Sequence, residues 1–78
     1  MRTYVCYKRD WDDTTVFDVF RSTREELALK SVLNEFEIDK SRYESGFGYY
    51  VEVWINRERV DWLILSKETM ELEPYIIA

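Results

Sequence analysis

Seventy-eight residues, 46% of them hydrophobic and 35% charged, make a chain long enough for one core and too short for two. The formal charge is −5, with eleven bases scattered among sixteen acids, so there is no basic stripe for a phosphate backbone and no direct nucleic-acid partner is expected. Histidine is absent, which removes the usual general base near neutral pH and the commonest transition-metal ligand.

Residues 1–78 therefore read as a single domain. A domain of this size buries only about 60–65% of the surface its unfolded chain exposes. Three Trp, six Tyr and four Phe compensate with large buried areas per residue, so folding should need neither metal nor disulfide. Cys6 stands alone, whereas a secreted domain this small would normally carry several cysteines. No apolar run approaches membrane-spanning length, and the N-terminus lacks the apolar core of a leader. A cytoplasmic protein with no membrane partner is expected.

In chain order, residues 2–9 and 14–21 are rich in β-branched and aromatic types and flank the polar stretch Asp10-Trp11-Asp12-Asp13, which predicts a β-hairpin. Within its second strand, period-2 alternation sends Asp18 to solvent and Phe17 and Val19 inward. Ser22 with Glu25 three residues on forms a capping box, predicting a helix start there. Ala28, Leu29, Val32, Leu33 and Phe36 follow at helical spacing as one apolar stripe, with Leu27 and Ile38 lying off it. Residues 39–48 form a polar connection ending in Gly46-Phe47-Gly48.

Residues 49–55 and 60–65 alternate as two further strands around Asn56-Arg57-Glu58-Arg59. With Arg57-Glu58 as the two-residue loop, Val60 faces Ile55, Trp62 faces Val53 and Ile64 faces Val51, making one wholly apolar face. A four-residue loop is the alternative. Residues 69–73 alternate once more, and Pro74 marks an edge strand or a bend. The order is ββαβββ, an α+β fold with an antiparallel sheet and one helix packed on one face.

No catalytic constellation emerges, and no enzyme is expected. Cys6 lies in a strand and reads as a small core residue. The lone Gly46-Phe47-Gly48 precedes a strand, not a helix, so it is no phosphate loop. Asp10, Asp12 and Asp13 lack the glycine and closing glutamate of a calcium loop. Glu52 and Asp61 could supply paired carboxylates, but charged residues on an exposed sheet face are the ordinary outcome. No cofactor or metal is implied.

The face opposite the core, in this register, carries Tyr50, Glu52, Trp54, Asp61, Leu63 and Leu65. Four of the six are large and apolar or aromatic, more than a solvated sheet face usually shows. Two readings stay open: an interface with an aromatic centre and an acidic rim, or a second small core. Trp11 with Asp12 and Asp13 at the hairpin tip is a further candidate contact, either exposed as an anchor or folded back on the sheet.

By size, acidity and the ββαβββ order, the chain resembles small inhibitor proteins encoded by bacteriophages and mobile elements, including anti-CRISPR and anti-restriction proteins. The resemblance spans the whole chain and is architectural, resting on no residue motif. It implies a compact acidic domain that docks on a host protein in the host cytoplasm, often over that protein's nucleic-acid-binding surface. The expected function is a non-catalytic module that inhibits or regulates a larger cytosolic partner with a basic surface. The alternative is a homo-oligomer, such as a homodimer, using the aromatic sheet face.

Overall fold

A computed structural model describes residues 1–10, 12–38 and 48–76. Strands β1 (Arg2–Arg9) and β2 (Thr14–Ser22) form the first hairpin and are followed by helix α1 (Glu26–Ile38). Strands β3 (Gly48–Ile55), β4 (Glu58–Leu65) and β5 (Leu72–Pro74) complete an antiparallel sheet in the spatial order β2-β1-β3-β4-β5. The α+β architecture and element order are those the sequence predicts.

One sheet face packs on α1. Ala28 and Val32 are fully buried, and Leu29, Leu33 and Phe36 pack beside them, so the predicted apolar stripe is the helix's inner face. Beneath it lie Tyr4 and Cys6 of β1, Tyr49, Val51 and Val53 of β3, and Leu63 and Leu65 of β4. Burying each large apolar side chain contributes roughly 1.5–3 kcal/mol. Phe17 of β2 and Phe36 of α1 meet the Tyr49 ring edge-on, with centroids 6.2 and 6.0 Å away, and the Phe36 contact seats the helix over the central strand. Lys8 Nζ donates to Glu35 Oε2 at 2.6 Å and ties β1 to the helix.

The orientation of β2 differs from the alternation read in the sequence. Asp18 pairs with Cys6 and faces the helix, while Val19 is 57% exposed on the other side. The cause is a bulge: Cys6 pairs with Asp18 but Tyr7 with Val16, so Phe17 is an extra residue and shifts the strand's parity. Asp18 is tolerated there because Ser31 Oγ donates to its Oδ2 at 2.6 Å. Phe17 does point inward.

The capping box also gives way. Ser22 ends β2, its Oγ accepts the Arg24 N–H at 2.9 Å, and α1 begins only at Glu26. The carbonyls of Arg24 and Glu25 accept from the Leu27 and Ala28 N–H groups in the entering turn. The last strand likewise starts later than predicted, at Leu72, because Met70 takes a left-handed φ of 58° and turns the chain first. Gly46 and Phe47 lie outside the described residues.

Candidate docking face

The register of β4 decides what the helix-free face contains. The tight loop is Asn56-Arg57, with Ile55 paired to Glu58, and Asn56 supplies the left-handed φ of 57° that such a turn requires. A second bulge follows: Trp54 pairs with Arg59 and Val53 with Asp61, leaving Val60 unpaired. Relative to the predicted pairing, β4 has slipped by one residue, which exchanges its two faces.

Leu63 and Leu65, expected on the outer face, are therefore in the core at 6% and 3% exposure. Asp61 pairs with Val53 on the helix side and is exposed. Tyr50, Glu52 and Trp54 do share the helix-free face. Trp62 and Ile64 join them from β4, paired with Glu52 and Tyr50. Tyr7 arrives from β1 opposite Tyr50, and Tyr75 is placed by its N–H donating to the Trp62 carbonyl at 2.8 Å.

These rings form a connected network. Tyr7 stacks on Tyr50 and Tyr50 meets Tyr75, both at 5.3 Å between centroids, while Trp62 stacks on Tyr75 at 4.5 Å. Trp62 Nε1 donates to Tyr7 Oη at 2.6 Å, and the Arg59 guanidinium lies 4.6 Å from the Trp62 ring centroid. Glu52 accepts from Trp54 Nε1 at 3.0 Å and from Arg59 Nη1 at 3.5 Å. Burial raises the Tyr7 and Tyr50 hydroxyls above the usual phenol range, the Trp62 bond lowering Tyr7 in part, so both stay protonated at neutral pH.

Apart from Tyr7, which is buried, the network is only half-buried: Tyr50, Trp54, Trp62 and Tyr75 all retain exposure, and no helix or strand among the described residues lies over them. Fixed aromatic side chains with polar tips, presented on sheet strands, can offer apolar area to a partner at little further entropic cost.

Asp12 and Asp13 occupy the opposite end of β1 from Trp54. Their N–H groups donate to Asp10 Oδ1 at 3.0 and 2.8 Å and hold that carboxyl below its ordinary range. Trp11 lies outside the described residues. An open groove of about 290 Å³ runs between α1 and β2, lined by Asp18, Phe20, Leu27, Lys30, Ser31 and Asn34, but its central carboxylate already has Ser31 as partner.

Tyr7, Trp62, Tyr75 and Arg59 are site residues that the sequence does not mark. The slip in β4 concealed Trp62, and Tyr75 follows a proline that reads as a strand's end. Tyr7 lay in a strand whose alternation offered a signal, had its hairpin been aligned with β3. No protein-family model, curated protein or solved structure matches the chain. Among the described residues no helix is long and apolar enough to cross a membrane, and no group of three or more side chains is arranged to hold a metal ion.

Proposed function

We propose that this chain is a non-catalytic binding module that regulates or blocks a larger protein, docking through its helix-free sheet face. The observation that carries the reading is the network of half-buried Tyr50, Trp62 and Tyr75 on buried Tyr7, bordered by Trp54, Glu52 and Arg59 and covered by no other described element. Tyr, Trp and Arg are the residue types that concentrate binding energy at protein interfaces. A cytoplasmic inhibitor of the phage and mobile-element type would work in this way, without chemistry of its own. Most exposed acids among the described residues lie elsewhere, among them Asp12 and Asp13 at the tip and Glu25 and Glu26 at the helix start, where a basic region of the partner would meet them.

The test is capture from host lysate with paired baits, wild type and a Trp54→Ala/Ile64→Glu variant whose urea midpoint is unchanged. A partner retained by the first and lost by the second supports the reading. Equal capture by both baits refutes it. The second reading, an isologous homodimer on the same face, is separated by sedimentation equilibrium of the isolated chain.

A further inference from the structure

Among the described residues, the helix-free face has the opposite charge balance to the whole chain. Antiparallel pairing aligns Arg21, Thr3, Trp54 and Arg59 in one row across four strands, and Arg9 lies three rows away beside Gly48. Arg9 lies six positions along β1 from Thr3, about 20 Å at the rise of a strand. Arginines thus stand at both ends of the face. Against them, among the described residues, the paired strands place Glu52 and Glu73 on the same face, and Glu52 is already shared by Arg59 and the Trp54 indole. Among the described residues three bases outweigh two acids here, in a chain whose net charge is −5. Arg9 and Arg21 are exposed and form no ion pair among the described residues. Val16 and Val19, between them, are 52% and 57% exposed.

From this complementarity we infer that the face takes an acidic protein segment, its carboxylates on Arg9 and Arg21 and its apolar side chains over Val16, Val19 and the aromatic network. The inference rests on the reading of this face as the docking surface and specifies its partner. A nucleic acid fits less well: Trp62, Tyr50 and Tyr75 are committed to one another and to Arg59, and a strongly acidic chain repels a polyanion at long range. A second copy would bring arginine-edged face against arginine-edged face.

The probes are the random copolymers poly(Glu,Tyr) and poly(Lys,Tyr), with oligothymidylate as the nucleic acid. Each is titrated into isotope-labelled protein at about 150 mM salt, where exposed charges more than about 8 Å apart are largely screened. Poly(Glu,Tyr) should shift the Trp54 and Trp62 indole signals and the Val16 and Val19 methyls, while poly(Lys,Tyr) shifts signals of the helix and the acidic tip. Arg9→Glu/Arg21→Glu should weaken the poly(Glu,Tyr) titration about tenfold or more. Arg9→Gln/Arg21→Gln, with a smaller loss, serves if the reversal does not fold. Equal perturbation of the face by poly(Lys,Tyr) or oligothymidylate, no effect of charge reversal, or shifts of these signals with protein concentration alone would each overturn the inference while leaving the face a docking surface. Silence of the face towards all three probes would overturn it together with the docking reading.

Discussion

The Tyr50 ring lies against the α-carbon of Gly48, so close that a β-carbon there would sit 2.8 Å from Tyr50 Cε2 and from its hydroxyl oxygen. Gly48 is thus the floor of the aromatic network, and its lack of a side chain is a packing requirement. Gly48→Ala should displace the ring and cost about 1–3 kcal/mol, read as a lower urea midpoint. In a Tyr50→Leu background the same substitution should cost much less. Additive losses in the double variant would show that the two positions are not coupled.

Trp54 and Trp62 share a face but not a role. Trp62 stacks on Tyr75, carries Arg59 and donates to Tyr7, so Trp62→Ala should cost about 2–4 kcal/mol. Trp54 has one indole bond, to Glu52, and Trp54→Ala should cost about 1 kcal/mol or less. On the helix, Leu33→Ala or Phe36→Ala should cost about 2–5 kcal/mol. Urea midpoints for the four variants rank them. If Trp54→Ala matches Phe36→Ala, Trp54 belongs to a core and is no candidate for docking.

Element order and the helix's inner face were legible because long-period patterns survive local irregularity: Ala28, Val32 and Phe36 pack where their spacing places them. What failed was parity. Each bulge adds one residue, at Phe17 in β2 and at Val60 in β4, and in a period-2 structure one residue exchanges inside for outside. Leu63 and Trp62 are both large and apolar, so either could fill the core, and only the turn chemistry of Asn56 distinguishes the registers. The sequence therefore showed that β3 and β4 have a second apolar face before it showed which residues of β4 form it. Arg59 and Tyr75 reach that face through the turn and beyond a proline, where strand alternation carries no information.

Two polar groups on the helix side, one buried and one half-buried, should respond oppositely to deletion. Tyr4 is fully buried, and its hydroxyl has no hydrogen-bond partner among the described residues. Tyr4→Phe removes an unsatisfied group while keeping the stack on Phe20, so stability should be unchanged or higher by about 1 kcal/mol. Ser31→Ala instead strips the donor from Asp18 and should cost about 1–3 kcal/mol. Chemical denaturation of both variants is the check. A marked loss in Tyr4→Phe would mean the hydroxyl is satisfied after all.

Cys6 makes the domain sensitive to alkali. The thiol is fully buried, and burial first, then the Asp18 carboxylate, pushes it up to about 12 from an ordinary 9.0, with the Ser31 hydrogen bond pulling weakly the other way. The folded chain then keeps the thiol proton at pH values where the unfolded chain has lost it. Stability must fall as pH rises, because the unfolded state binds fewer protons. The loss begins near pH 9 and is complete near pH 12, on the order of 4 kcal/mol at most for three pH units. Well below pH 9 the thiol contributes little pH dependence. Tyr7 and Tyr50, also raised by burial, add losses of the same sign from about pH 10. The urea midpoint should therefore hold steady from pH 7 to pH 8.5 and drop between pH 9 and pH 10. In Cys6→Ala the drop should be delayed until the tyrosines titrate. Native protein should also resist thiol reagents at pH 8 and react at once in urea. A midpoint in Cys6→Ala that falls from pH 9 as steeply as in wild type would assign the alkaline loss to other groups.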